Sequence, residues 1–457
     1  MMTQTLDREA LDRFVATYGE KARQSSKIAP DEYQKYNVKR GLRNADGTGV
    51  LVGLTNIGNV HGYILDEGES VPVPGKLSYR GIDVEALVKG FQADGRNGFE
   101  ETAYLLMFGV LPNAAELDEF RQALDAVREL PAGFTENMIL KAPSRDIMNK
   151  LARSVLVLYS YDSSADDVSI GNNLRQSLEL IARFPVMTAY AFQAKAHYHE
   201  GQSLYIHNVR PGLSTAGQFL QLLRPDSSYS RLEEEVLDLC LVLHAEHGGG
   251  NNSAFTVHVV TSSGTDIYSA IAAGVGSLKG PKHGGANIKV VEMMEDVKDN
   301  VKDWSSEREV KEYLRRIMRR EAYDRSGLIY GIGHAVYTLS DPRAVLLKAK
   351  ARELSQALGC TDEFHLYELI EQYGPEVFRE VKDSKKVVSV NVDFYSGFVY
   401  RMLNIPRELY TPLFAIARIA GWAAHRLEEL SSGGRIMRPA FKSVVRKTDY
   451  TPLSERG

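Results

Sequence analysis

Apolar residues recur at helical spacing along most of this chain, and this periodicity limits the fold more than any other feature. A capping box at Ser230 and Glu233 precedes one such stripe, which a glycine run at Gly248 ends. The stripe contains Leu232, Val236, Leu239, Cys240, Leu243 and His247. A second stripe follows Thr411–Pro412, a pair typical of an N-cap with proline at the first helical position. The chain is therefore predicted to be all-α.

Nine further segments have the same helical pattern: residues 99–109, 114–129, 145–160, 173–196, 266–279, 288–302, 308–320, 343–357 and 363–381. Strand patterns are few and short. The best are Val60–Leu65 and Lys386–Val392, and loops are predicted at Ser163–Asp167 and Pro225–Ser230.

Composition excludes several classes of function. At 457 residues with 44% hydrophobic content, the chain can bury a large core. A net charge of -4 argues against a nucleic-acid partner or a membrane surface, and no apolar run is long enough to span a bilayer. The two cysteines, Cys240 and Cys360, are too few for a disulfide scaffold or a metal motif, which favours the cytoplasm.

One histidine stands before a predicted helix. His283 lies between a Gly-Pro turn and Gly284–Gly285, with a helical pattern following. The positive end of a helix dipole disfavours imidazolium, so a neutral ring could donate a hydrogen bond to an oxygen that becomes negative. A histidine that only caps a loop would have the same sequence.

A second histidine follows a glycine pair. Gly331 and Gly333 precede His334, and Arg343 follows nine residues later. Glycines allow a close backbone approach to a ligand, and an arginine can bind a carboxylate through two hydrogen bonds. A flexible turn before a helix capped at Asp341 is the alternative.

Asp393 follows a valine-rich run directly. A carboxylate there can be a general base or the N-cap of the next helix.

His244, His247 and His258 allow a metal site, although their spacing favours structural or substrate-binding roles. Arg418, on the flank of the second stripe, is either a surface charge or a cation that faces a cleft.

Together these segments resemble the citrate synthase family. The resemblance rests on Gly-Ile-Gly-His-Ala-Val at 331–336 with Asp341-Pro-Arg, and on motifs elsewhere in the expected order. Those motifs are His247-x-Gly-Gly-Asn, Gly280-Pro-x-His-Gly-Gly-Ala-Asn, Asn391-Val-Asp-Phe-Tyr-Ser-Gly and Arg438-Pro, and the likeness covers residues 50–440.

The resemblance implies an acyltransferase that condenses acetyl-CoA with oxaloacetate and hydrolyses the thioester to citrate, as in the tricarboxylic acid cycle. Asp393 would be the base, His283 the donor to the thioester oxygen and His334 the acid at the ketone. The implied oxaloacetate ligands are His247, Arg343, Arg418 and Arg438, the last one contributed to the partner subunit's site.

For coenzyme A, a co-substrate rather than a bound cofactor, the resemblance suggests contacts at Gly331, Gly333, Lys385 and Lys386. No metal ligand is implied. Thr338 stands where many family members carry a basic residue near the CoA phosphates.

The implied architecture is a homodimer with shared active sites. A large domain would comprise residues 1–284, with an N-terminal extension over 1–50, and residues 401–457. A smaller helical domain, residues 285–400, would close over the substrates.

Two alternatives remain at this stage. The nearer is 2-methylcitrate synthase, which uses propionyl-CoA and differs by one methylene of pocket volume. The more distant is a metal-dependent hydrolase built on the three histidines.

Overall fold

A computed structural model describes residues 8–44, 47–66, 69–384 and 386–456. The chain divides into two compact units. One comprises residues up to Gly53 and from Arg438 onward, and the other runs from Leu54 to Met437.

The first unit contains helices α1 (Arg8–Ser25) and α2 (Pro30–Lys35). Pro30 occupies the first turn of α2, where its missing amide is not needed, and Asp31 and Glu32 follow at the end of the helix that favours negative charge. Residues 11–25 of α1 are all exposed.

The second unit begins with an antiparallel sheet of three strands in the order β1-β2-β3. Their bounds are Gly58–Asp66 for β1, Glu69–Tyr79 for β2 and Ile82–Asp83 for β3. A register shift between His61 and Tyr63 interrupts the first pair. The predicted strand at 60–65 is thus confirmed.

The rest of the second unit is helical. The helices are α3 (Val84–Ala93), α4 (Phe99–Phe108), α5 (Ala114–Val127), α6 (Ile147–Leu158), α7 (Ile170–Glu200), α8 (Thr215–Leu223), α9 (Arg231–His244), α10 (Asn252–Thr261), α11 (Ile267–Lys279), α12 (Ala286–Asn300), α13 (Glu307–Met318), α14 (Pro342–Ala357), α15 (Thr361–Lys382), α16 (Val392–Met402) and α17 (Tyr410–Ser431). All nine predicted segments are confirmed to within a few residues, and the all-α class with them.

Helix α17 is the centre of this unit. Every residue from Tyr410 to Arg426 is buried, and the helix packs against α4, α7, α9, α10 and α11. A helix that is apolar on all sides must be surrounded by other elements. Its fully buried basic residues, Arg418, His425 and Arg426, therefore need partners inside the protein.

Two sequence predictions are wrong in detail. Lys386–Val392 does not form a strand: a single bridge joins Val390 to Ile332, and Val392 already begins α16. Thr411 is not an N-cap, because α17 begins at Tyr410 and the Thr411 hydroxyl donates to the carbonyl of Gly284 instead.

Other local predictions are confirmed. Ser230 and Glu233 form the expected capping box, and Asp341 caps α14 with Pro342 at its first position. In the part of the chain that the structure describes, no helix has the length and apolar composition needed to cross a bilayer.

Candidate active site

The turn that follows α9 forms one wall of a buried polar region. Helix α9 ends at His244, earlier than the apolar stripe suggested, so His247 lies beyond the helix. His244 is fully buried and stacks on Phe414 at 4.4 Å between ring centroids. Burial holds the pKa of the His244 and His247 rings well below the ordinary value, and Arg343 and Arg418 lower it further.

Arg418 is a buried cation in contact with this turn. It is fully buried in α17, and its Nε donates to the His244 carbonyl at 2.7 Å. Among the described residues, neither Nη1 nor Nη2 of Arg418 has a hydrogen-bond partner, although both atoms are buried. Burial lowers the pKa of the guanidinium to about 10. A buried cation with two unused donor nitrogens is a site for an anion.

Arg343 provides a second buried cation. Its Nε and Nη2 bind the two oxygens of Asp341 at 3.0 and 2.7 Å, an ion pair that raises the pKa of the guanidinium against the effect of burial. The same carboxylate accepts the backbone N–H of Arg343 and that of Val392. Asp341 therefore ties the start of α14 to the start of α16.

His334 occupies a short segment with constrained backbone. Gly331 and Gly333 have φ of 80° and 97°, values that favour glycine. The N–H of Gly333 donates to Ser389, and Asn391 binds the carbonyls of both glycines. These contacts fix His334 beside His247, with 5.2 Å between the ring centroids.

The contacts of His334 determine which nitrogen carries its proton. Its Nδ1 accepts hydrogen bonds from the backbone N–H groups of Val336 and Tyr337 at 3.1 and 3.0 Å. A nitrogen that accepts two N–H groups has no hydrogen, so the neutral ring is protonated at Nε2. His334 can thus donate from Nε2.

Asp393 lies in the first turn of α16, and Asn391 rather than Asp393 caps that helix. Burial raises the pKa of the Asp393 carboxyl to about 6, while Arg343 and Arg418 oppose the shift and Asp341 adds to it. The carboxyl is consequently a stronger base than an ordinary aspartate and is still ionised at neutral pH.

His283 stands one turn before α12, as the sequence predicted. Its Nε2 lies 3.1 Å from the hydroxyl of Ser253. Burial, aided by Arg418, lowers the pKa of the ring to about 4. The imidazole is therefore neutral, and burial rather than the helix dipole is the main cause.

The structure thus brings together His247, His283, His334, Arg343, Arg418 and Asp393. Their proximity is reflected in their pKa values. The charge of Arg418 lowers the pKa of His244, His247, His283 and Asp393. The charge of Arg343 lowers the pKa of the same groups except His283. The expectation that Arg418 might be a surface charge is wrong.

The structure describes two of the three other predicted residues, and both are exposed. Arg438 is exposed and belongs to the first unit, Lys386 is exposed before α16, and Lys385 lies outside the described residues. The metal trio is not assembled: His258 contacts Glu429 and His425, and within the described ranges it forms no ligand group with His244 and His247.

Sequence reasoning missed three residues of this region. Ser253 binds His283, and Glu246 and His425 form a buried pair with 2.9 Å between Oε1 and Nε2. All three side chains are polar and completely buried. Nothing in the sequence marks them as buried until the packing of α10 and α17 is known.

Comparison with known proteins agrees with this geometry. The family model described as "Citrate synthase, C-terminal domain" matches residues 45–440. The chain is 34% identical over 426 residues to a citrate synthase of Haloferax volcanii, with 92% of this chain and 99% of that one covered.

Two further matches bear on function and fold. The chain is 31% identical to 2-methylcitrate synthase 1 of Corynebacterium glutamicum, covering 92% of this chain and 98% of that one. The crystal structure of citrate synthase from Pyrobaculum aerophilum superposes with a TM-score of 0.72 at 29% identity, covering 89% of this chain and 94% of that one.

Proposed function

The chain belongs to the citrate synthase family and is an enzyme of that type, and on this premise we propose how its own residues condense acetyl-CoA with oxaloacetate. The observation that carries the proposal is a set of buried nitrogens on Arg418, His244 and His247 that have no hydrogen-bond partner among the residues described. Asp393, His283 and His334 surround them. Orphaned buried donors cost stability unless a ligand binds them.

Oxaloacetate, a small keto diacid, suits these donors. Nη1 and Nη2 of Arg418 would bind one carboxylate as a bidentate pair, and Arg343, held by Asp341, would bind the other. His247 would complete the pocket from the turn after α9. No metal ion is required for this arrangement, because the guanidinium groups supply the positive charge.

Asp393 would begin the reaction by removing a proton from the methyl group of acetyl-CoA. A thioester α-proton is far too weakly acidic for a carboxylate acting alone, so the base needs a partner that stabilises the developing enol. The raised pKa of Asp393, about 6, brings its basicity closer to that of the substrate carbon.

His283 would be that partner. Ser253 Oγ accepts from Trp422 Nε1 at 3.1 Å and has one proton to give, either to Asn251 Oδ1 at 2.9 Å or to His283 Nε2 at 3.1 Å. When His283 receives it, the imidazole carries its own proton on Nδ1. Nδ1–H can then donate to the thioester oxygen, a form of stabilisation worth on the order of 10²–10³ in rate.

His334 would act at the ketone. Its Nε2–H would polarise the ketone oxygen of oxaloacetate and transfer its proton as the enol carbon attacks the ketone carbon. The new carbon–carbon bond gives citryl-CoA, and water then cleaves the thioester to citrate and CoA. The two backbone donors to Nδ1 keep His334 in the orientation and tautomer that this step requires.

Coenzyme A would lie along the Gly331–Gly333 segment, where the open space beside Gly333 permits close approach. The exposed Lys386 and its neighbour Lys385 would supply charge for the phosphates. Thr338 would leave this enzyme with fewer cationic CoA contacts than relatives that carry a basic residue there.

We further propose the domain arrangement given by the resemblance. Residues 285–400 would close over a large domain of residues 1–284 and 401–457 and exclude water until the bond forms. Two chains would form a homodimer in which Arg438 of each chain completes the other chain's site. The two free cysteines suit the cytoplasm, where the enzyme would serve the tricarboxylic acid cycle.

The acyl substrate is tested by comparing kcat/KM for acetyl-CoA and propionyl-CoA, each with saturating oxaloacetate. We expect a preference for acetyl-CoA of about tenfold or more, since one methylene in a pocket is worth ~1–3 kcal/mol. A preference for propionyl-CoA would assign the enzyme as a 2-methylcitrate synthase. CoA release that does not depend on oxaloacetate would contradict both assignments.

A further inference from the structure

Behind the catalytic turn, four side chains form one continuous chain of hydrogen bonds. Glu246 Oε1 lies 2.9 Å from His425 Nε2, and His425 Nδ1 lies 3.0 Å from His258 Nε2. His258 Nδ1 in turn lies 2.9 Å from Glu429 Oε2. Glu246 and His425 are completely buried, whereas Glu429 is partly exposed. The proposed catalytic roles use none of these residues.

Counting protons shows that the two histidines together carry one positive charge. The outer nitrogens, His425 Nε2 and His258 Nδ1, face carboxylate oxygens, which accept hydrogen bonds and do not donate them. Each outer nitrogen therefore carries a hydrogen. A neutral imidazole has one N–H, so the inner nitrogens would be two lone pairs facing each other at 3.0 Å. An additional proton between them removes this repulsion.

The surroundings locate the proton on His425. Glu246 and Glu428 both face this ring, Glu428 with an oxygen 3.7 Å from Nδ1, and they raise its pKa to about 9 despite complete burial. Burial and the neighbouring His425 instead lower the pKa of His258. His425 is thus the imidazolium. Its Nδ1–H donates a hydrogen bond to Nε2 of His258, and the Nδ1–H of His258 donates one to Glu429.

A metal ion is the competing explanation, because His258, His425 and Glu428 offer three ligand atoms within 4.8 Å of one another. A separation of 3.0 Å between the inner nitrogens is that of an ordinary N–H···N hydrogen bond. Zinc would hold each nitrogen at about 2.0–2.1 Å from the ion, which in a tetrahedral site separates the nitrogens by more than 3.0 Å. The geometry therefore favours a shared proton.

Glu246 connects the imidazolium to the active site. It lies between His244 and His247 in the chain, and its Oε1 also accepts the N–H of Gly248. Its charge stabilises the Arg418 cation as well, since Glu246 is the largest effect opposing the loss of the Arg418 proton.

The close packing around Glu246 leaves it little freedom. A Cβ on Gly58 would lie 2.8 Å from the Glu246 side chain, and one on Gly421 would lie 2.5 Å from its Oε2. The carboxylate is thus confined between β1 and α17. A change in its charge therefore changes the hydrogen bonds of the turn that contains it.

We propose that His425 is a positioning residue for the reaction: as an imidazolium shared with His258 and Glu429, it keeps Glu246 ionised and so fixes the His244–Gly248 turn that presents His247 to oxaloacetate. The role in catalysis rests on the function proposed above. The charged groups that face His425 are Glu246, Glu428 and, through His258, Glu429. Two arginines lie near these carboxylates: Glu246 stabilises the charge of both Arg80 and Arg418, and Glu428 stabilises that of Arg80.

The kinetic test uses the full-length enzyme and the variants His425→Gln and Glu246→Gln/His425→Gln. Glutamine retains a donor toward Glu246 but carries no charge. We expect His425→Gln to raise the KM for oxaloacetate by about tenfold or more with kcat changed by less than about threefold, the pattern of lost ground-state binding. The double variant, which removes both buried charges, recovers most of the lost affinity. His207→Gln is the matched control and leaves KM unchanged, because that ring stacks on Tyr205 and contacts the carbonyl of Arg224.

The pH dependence separates positioning from a purely structural role. In the wild type the KM for oxaloacetate should rise as the pH passes about 9, where His425 loses its proton. In His425→Gln this rise is absent. A variant that only weakens the fold would lower the melting temperature without altering KM or its pH profile.

Stability gives a second readout that needs no activity. The folded-state pKa of His425 is raised above its ordinary value of 6.5, so the stability it contributes is complete below pH 6.5 and is lost as the pH rises to about 9. The wild type should therefore lose stability relative to Glu246→Gln/His425→Gln across this window.

Three results would overturn the proposal. The first is a wild-type oxaloacetate KM and pH profile in His425→Gln. The second is about one divalent metal ion per chain in the purified enzyme, lost in His258→Gln. The third is a wild type with no oxaloacetate-dependent CoA release, which removes the positioning role together with the proposed function, while the stability comparison still reports whether the proton is there.

Discussion

Asp393 must accept a proton and His283 must donate a hydrogen bond within one buried region, and burial shifts their pKa values in opposite directions. Burial raises the pKa of the Asp393 carboxyl to about 6 and lowers that of the His283 ring to about 4. At neutral pH the first is an ionised base and the second a neutral donor. This is the pair of states that proton removal with enol stabilisation requires.

We predict an acidic limb in the rate profile that belongs to Asp393. Because the ionised carboxyl is the active form, kcat/KM for acetyl-CoA should fall about tenfold for each pH unit below about 6. His283 remains neutral over this range and adds no second step above pH 4. Steady-state kinetics from pH 5 to 8 would measure the limb, and a flat profile down to pH 5 would contradict it.

At the scale of single residues, sequence motifs predicted His283, His334 and Asp393, and the structure places all three in one region. The burial of Arg418 was not predictable, because a helical position flanking an apolar stripe is usually solvated. Its environment depends on five other helices that pack around α17. The partners Ser253 and His425 were missed for the same reason, since their contacts are separated in sequence by 30 residues and more.

Among the elements, the segment that carries His334 has the most constrained backbone. Gly331 has a φ of 80°, and a Cβ there would lie 2.8 Å from Phe394 and 2.9 Å from Val290. Gly333 has a φ of 97° with open space where its Cβ would lie. The two glycines thus share a left-handed backbone but differ in steric room.

This difference gives a matched pair of variants. Gly333→Ala incurs only the backbone cost of about 1 kcal/mol, while Gly331→Ala adds a clash with α12 and α16 that we expect to cost a further ~1–3 kcal/mol. Thermal denaturation should show the larger fall in melting temperature for Gly331→Ala. Equal melting temperatures would show that the close packing around Gly331 does not hold this segment.

Element positions were largely predictable from periodicity and capping. The valine-rich run before α16 is the instructive error. β-branched residues favour strands, yet in the part of the chain that the structure describes this run pairs only through one bridge, from Val390 to Ile332. Helices α1, α2, α3, α8 and α10 were not predicted. All nine residues of α8 are buried, and α10 exposes Val259 as well as Asn252, so neither of these two shows the simple division into an apolar and a polar face on which the prediction depends.

For the whole molecule, the proposed homodimer makes a prediction that no property of a single chain provides. If Arg438 completes the partner's site, Arg438→Ala and Asp393→Ala each disable both sites of their own homodimer. In a mixed dimer, one site collects both defects and the other has neither. Mixed dimers should therefore regain about half of the wild-type activity per dimer.

The experiment requires co-expression with two affinity tags, so that only mixed dimers are assayed. Mixtures of separately purified homodimers that do not exchange subunits provide the control and should stay inactive. No recovery in the mixed dimers would place Arg438 outside the partner's active site.

The most direct test of the account concerns Asp393 as the base. In Asp393→Ala, oxaloacetate-dependent CoA release should fall by at least about 10³-fold, while calorimetry should show oxaloacetate bound with an affinity close to the wild type. Asp362→Ala, which removes an exposed aspartate from the first turn of α15, should leave both measurements unchanged. Near-normal CoA release from Asp393→Ala would contradict the mechanism.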